Sequence, residues 1–217
     1  SERFLYQIES SAPLRKQLWQ QTVQAKIVNQ AYVLNVTRGE TVKNMQKWAN
    51  DVKSGDTDNL EGRAAAYYWS NLFPMIPNFR RSREGIPPNN LLNYGYAILR
   101  AIVARALVGS GLLPTHGIHH HNRYNAYCLA DDIMEPYRPF VDKLVIELVD
   151  TELERGKNPE KIELDKALKS KLLSIPVMDV NINGQRSPLM NAATLTTASL
   201  AKCYQGEVRK LAFPEFE

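Results

Sequence analysis

The chain has only two cysteines in 217 residues, Cys128 and Cys203, and no CxxC pair. That excludes a disulfide framework and a thiolate zinc site, and both thiols are expected to be reduced and buried. No uninterrupted apolar run reaches the roughly 18 residues of a membrane span. No basic-then-apolar leader opens the chain either, so the expectation is a cytoplasmic protein without a membrane partner. The first residue is Ser1 rather than Met, which points to a processed or truncated product. Internal repeats and low-complexity tracts are lacking, and only one short segment has strand character.

What is there is ordinary in bulk and uneven in detail. Apolar residues make up 44% and charged residues 23%, a globular balance, and the length suffices for one large domain. The net charge is +4. Residues 80–105 hold Arg80, Arg81, Arg83, Arg100 and Arg105 against Glu84 alone. Such clustering is the footprint of phosphate binding, although a solvated loop carries the same composition.

The periodicity reads as helix after helix. Trp19, Val23, Ile27, Ala31 and Leu34 form one stripe of a long amphipathic helix, opened near Pro13 and ended at Thr37-Arg38-Gly39. Val42, Met45, Ala49 and Val52 give a second helix, closed by Ser54-Gly55. Asp58 is placed to cap a third, running through Glu61 to Leu72. Residues 73–88 contain four prolines and read as a loop. Residues 89–108 are apolar nearly all round, which predicts a helix at the centre of the domain. Arg100 on it calls for an anionic partner, a carboxylate or a phosphate. Further helices are predicted over about 126–149, 160–173 and 188–211, with a small hairpin around Asn183-Gly184. The fold class is therefore all-α, with at most a small β-hairpin.

Three segments carry candidate chemistry. Glu61 lies three, four and seven residues before Ala64, Ala65 and Tyr68, so its face can be approached closely by another backbone. The same residue completes an Asp58-x-x-Glu61 capping box, and both readings stand. His116, His119, His120 and His121 crowd one loop of six residues. Asp131, Asp132 and Glu135 repel one another unless a cation or an arginine neutralises them. Pro136 and Pro139 should kink the helix that carries these acids. Two carboxylates and one imidazole suit a divalent cation such as Mg²⁺ or Mn²⁺.

In order and spacing, four segments resemble the CRISPR-associated integrases of spacer acquisition, the Cas-one family, in its type II variety. They are Glu61-Gly-Arg-Ala-Ala-x-x-Tyr68, Leu92-Asn-Tyr-Gly-Tyr-Ala-Ile-Leu-Arg100, Gly117-Ile118-His119-His120, and Asp132-Ile-Met-Glu135-Pro-Tyr-Arg-Pro139. The resemblance implies that residues 1–217 are a single helical C-terminal catalytic domain, a fragment without the family's N-terminal β-domain. It implies that Glu61, His120 and Glu135 are both the catalytic residues and the metal ligands, with Asp132 in support. The triple histidine leaves His119 and His121 open as alternatives to His120. The implied activity is a metal-dependent DNA endonuclease and integrase that inserts protospacer DNA into a CRISPR array by 3′-OH transesterification. The implied partners are double-stranded DNA (protospacer and repeat), a second copy of the chain and a Cas-two subunit. Arg80, Arg81, Arg83 and Arg100 would hold the DNA backbone. Two other readings compete: a non-catalytic DNA-binding or scaffold piece, and a helical metal phosphohydrolase. The second would need an adjacent His-Asp pair on a helix, which this sequence lacks.

Overall fold

The computed structural model describes residues 2–217. After a short helix α1 (Arg3–Ile8), the chain enters α2 (Ala12–Arg38), the longest element. Ser11 caps it by accepting from the Leu14 amide, and Gly39 ends it with a φ of +66°. The predicted stripe is buried, but α2 buries a second row as well: Thr22, Lys26, Asn29 and Gln30. It is enclosed rather than half-exposed, packed by α3 (Lys43–Asp51), α4 (Leu60–Leu72) and α7 (Arg138–Glu154). α5 (Asn89–Gly109) is the second core helix, against α6 (Cys128–Ile133), α7, α8 (Lys166–Leu172) and α9 (Leu189–Tyr204). By length and composition α5 alone among the described helices could cross a membrane, although Arg100 and Arg105 interrupt its apolar run. Half of its apolar window is buried inside the domain. Gly95 permits this packing, since a Cβ there would lie 2.5 Å from Val141 Cγ1.

Strand structure among the described residues is one hairpin, β1 (Asp179–Ile182) and β2 (Gln185–Pro188), plus a single bridge from Asn181 to Glu215. Asn183 and Gly184 both take positive φ at its turn, as an Asn-Gly hairpin requires. The all-α reading holds, and both cysteines are buried free thiols.

Several boundaries differ from the sequence reading. The helix expected over 126–149 is two helices, α6 and α7, separated by a 3₁₀ turn at Glu135–Tyr137. Pro136 and Pro139 withhold two amides there, and Asn29 on α2 donates to the Pro136 carbonyl at 2.8 Å. The segment at 160–173 is helical only as a 3₁₀ turn at Pro159–Lys161 and then α8, started by an Asp165 cap. α9 stops at Tyr204, seven residues before the expected end, because Gly206 turns the chain with a φ of +75°. α4 is capped by Asn59 and Asp56, not by Asp58, which pairs instead with Lys53.

Candidate functional site

Glu61 stands in the first turn of α4, yet its carboxylate does not turn back to cap the helix. Asp56 takes that role, accepting from the amides of Leu60 at 2.9 Å and Glu61 at 3.0 Å. This decides against the capping box. The Glu61 side chain reaches α2, where Oε1 meets Lys26 Nζ at 2.7 Å. The same ammonium contacts Oε2 of Glu135 at 2.5 Å. Two glutamates 74 positions apart in sequence thus share one cation. The site is secluded: the side chains of Lys26, Glu61 and Glu135 are 11%, 21% and 8% exposed.

Glu135 owes its place to the helix break. The 3₁₀ turn aims it at α2, and Arg138 Nη2 three residues on meets its Oε1 at 3.3 Å. Burial favours the neutral acid, but Arg138 and then Lys26 outweigh it, and Glu135 is held below the usual carboxylate range. Burial likewise opposes the charge on Lys26. Glu135 and Glu61 overcome it and raise the ammonium's pKa.

The histidine loop is organised by Asp132, which is fully buried. Its Oδ2 accepts from the amides of Ile118 and His119, both at 2.9 Å. Its Oδ1 meets His120 Nδ1 at 2.5 Å. Gly117 makes this approach possible: a Cβ there would sit 2.9 Å from Asp132 Oδ2 and 2.3 Å from the His120 carbonyl. The bond to Asp132 raises the His120 imidazole above its ordinary value despite burial. With Nδ1–H directed at the carboxylate, the neutral ring keeps its lone pair on Nε2, the arrangement of a metal-ligating histidine. His119 differs. Its ring stacks flat on Trp19, centroids 4.2 Å apart, and burial followed by the neighbouring His120 lowers its pKa. Trp19 also meets the His120 ring edge-on, centroids 5.7 Å apart, and positions 119, 120 and 121 are all exposed.

The four acids and the arginines divide cleanly. Asp131 is gripped by Arg100 through Nε at 2.7 Å and Nη2 at 2.9 Å. The partner expected for Arg100 is thus a carboxylate, and its side chain is 43% exposed rather than buried. Arg81, Arg83, Arg100 and Arg138 line one cleft of about 630 Å³, with Tyr96, Tyr127 and Asp131. Arg81 is braced by Asn89 Oδ1 at 2.9 Å and Asn93 Oδ1 at 2.7 Å. Arg80 lies outside the lining of this cleft.

Among the described residues, no three His, Cys, Asp or Glu side chains are grouped closely enough to hold a metal ion as they stand. Glu61 and Glu135 are brought together. His120 faces them closely enough to feel both charges but is not in their ion pair. The donor chemistry nonetheless fits a hard dication: two carboxylates already gathered on a cation, next to an imidazole oriented by a carboxylate.

Lys26 and Arg138 are not among the residues that the sequence motifs single out. Lys26 belongs to the row Thr22, Lys26, Gln30, spaced by four, and a polar row at that spacing inside a long helix was a readable signal. Arg138 is three residues after Glu135, on the turn where a pair forms.

Residues 3–175 match the family model described as CRISPR associated protein Cas1. A CRISPR-associated endonuclease Cas1 from Neisseria meningitidis serogroup C is 38% identical over 211 residues, 96% of this chain and 66% of that protein. The chain thus spans just under two thirds of that relative and 52% of a Francisella tularensis one, 33% identical over 70% of this chain. In fold, it is similar to a casposase bound to integration product, with a TM-score of 0.78 at 21% identity, covering 100% of this chain and 72% of that one. It is also similar to a Cas6-RT-Cas1–Cas2 complex, with a TM-score of 0.75 at 20% identity, covering 96% of this chain and 26% of that one. The family match, the identity with named Cas1 endonucleases and the shared fold agree: this chain belongs to the Cas1 family.

Proposed function

We propose that this chain carries the catalytic centre of a metal-dependent DNA endonuclease and integrase that joins the 3′-hydroxyl of protospacer DNA to a CRISPR repeat. The observation that carries the reading is the convergence of Glu61 and Glu135 on one cation beside a cleft lined by four arginines. Mg²⁺ or Mn²⁺, held by Glu61, Glu135 and His120 Nε2, would supply Lewis-acid polarisation of the scissile phosphate and of the attacking hydroxyl. Asp132 fixes the His120 ring. Arg138 keeps Glu135 ionised. Arg81 and Arg83 face the DNA backbone with salt-sensitive contacts that carry little sequence information. Arg100 contributes less, because Asp131 already compensates its charge.

DNA is the proposed substrate, and a Cas2 subunit and a second copy of the chain are the proposed partners. The names of the casposase and Cas1–Cas2 neighbours support the first two. The work is positioning and charge compensation, which is most of what phosphoryl transfer asks of a protein.

The test is Mn²⁺ binding and strand transfer into repeat DNA with Glu61→Ala, His120→Ala and Glu135→Ala. Each should lose Mn²⁺ affinity and lower transfer by about 10²-fold or more. Asp132→Asn should lose about 10–100-fold through its hold on His120. Unchanged Mn²⁺ binding in all three alanine variants would refute the assignment.

A further inference from the structure

Lys26 raises a question that the metal reading alone leaves unanswered. Its Nζ lies 2.7 Å from Glu61 Oε1 and 2.5 Å from Glu135 Oε2. It therefore occupies carboxylate oxygens that a dication would need. We propose that Lys26 is an internal counter-cation which a divalent ion must displace from the two glutamates, so that this lysine sets how tightly the site takes up metal. The inference rests on the metal reading of the same site.

Three features carry it. First, the ammonium and a metal ion compete for the same lone pairs, because one hydrogen-bonds and the other coordinates. Second, the charge balance is already closed. Glu61 and Glu135 face Lys26 and Arg138, two negative charges against two positive. A dication entering this secluded pocket with the ammonium in place would leave an uncompensated surplus. Third, the two cations are held differently. Arg138 is a planar fork stacked on the Tyr96 ring, 4.8 Å from its centroid, and stays as a fixed compensator. Lys26 is a point charge on a flexible four-carbon stem with rotatable bonds. In the metal-free chain it keeps two carboxylates together that would otherwise repel.

The experiment is Mn²⁺ titration of the full chain without DNA, followed by electron paramagnetic resonance of the free ion. Lys26→Met keeps the stem and removes the charge. It should bind Mn²⁺ at least about tenfold more tightly than the wild type, within the usual range of coupling between two sites. Lys26→Arg should stay near the wild type. In parallel, amine labelling of the folded wild-type chain, read by mass spectrometry, should show Lys26 becoming more reactive when Mn²⁺ is added, with the exposed Lys169 unchanged. This second measurement decides the matter should Lys26→Met fail to fold. Equal or weaker Mn²⁺ binding by a folded Lys26→Met, or no gain in Lys26 labelling, overturns the proposal. Glu61→Gln separates the two readings. If it loses Mn²⁺ while Lys26→Met gains nothing, only the role of Lys26 falls. If it binds as the wild type does, the metal reading falls with it.

Discussion

Glu135 and Asp142 are both buried acids, seven residues apart around the start of α7, and they meet opposite fates. Glu135 is surrounded by cations, Lys26 on one oxygen and Arg138 on the other. Asp142 is surrounded by neutral donors: Tyr68 donates to Oδ2 at 2.9 Å and Tyr96 donates to Oδ1. Burial pushes Asp142 up to about 6, although both phenols and Arg138 pull the other way. Burial also drives Tyr68 and Tyr96 well above the ordinary phenol value, with Asp142 adding to it. Depth alone therefore does not make a reactive carboxylate. Glu135 is held in its ionised form by Arg138 and Lys26. Asp142 ties α4, α5 and α7 together and has no cation to exchange.

The largest way to break this comparison is to neutralise each acid in turn. Glu135→Gln should reduce Mn²⁺-dependent strand transfer by about 10²–10³-fold. Asp142→Asn keeps one acceptor oxygen and turns an amide donor to the other tyrosine, and it should leave transfer within about threefold. Equal losses in the two variants would erase the distinction.

The second is pH. A carboxyl raised to about 6 in the fold and near 3.8 when unfolded binds its proton more tightly in the folded chain. Its stabilising contribution is complete below the unfolded value and is lost as pH rises through about 6. Urea unfolding should show the stability of the wild type relative to Asp142→Asn falling by on the order of 3 kcal/mol between about pH 4 and about pH 7. A flat difference would place Asp142 among ordinary exposed acids.

The smallest effect sharpens the boundary between the two regions. Tyr96 touches both, with its hydroxyl on Asp142 and its ring against Arg138 and Arg81. Tyr96→Phe keeps the ring and removes only the hydrogen bond. It should cost about 1–3 kcal/mol in unfolding free energy and change strand transfer little. A large loss of activity with unchanged stability would show that the Asp142 network reaches the reaction centre.

Much of the site was legible before any fold was known, because its residue types are chemically unusual where they stand. Asp131, Asp132 and Glu135 had to find separate compensators, and they did: Arg100, the amides and imidazole of the histidine loop, and Lys26 with Arg138. Pro136 announced a break that periodicity could locate but not shape. The sequence did not decide where a competing local signal was equally good. Asp58 and Asp56 are both able caps, and only the turn at Asp56, with its φ of +49°, selects between them. Arg80, Arg81 and Arg83 look alike in sequence, yet only Arg81 and Arg83 reach the cleft.

The sequence by itself determined the helical class, the hairpin turn, the end of α2 at Gly39, and the set of acids and histidines available for chemistry. These follow from periodicity, backbone preference and side-chain inventory, all local properties of the chain. Tertiary structure alone decided that Lys26 joins Glu61 to Glu135, that Asp132 bonds the His120 ring while Trp19 stacks on the His119 ring, and that Asp142 sits among phenols. Each depends on side chains distant in sequence meeting in the folded chain. There the identity of the nearest partner outweighs anything a residue's neighbours in sequence can specify.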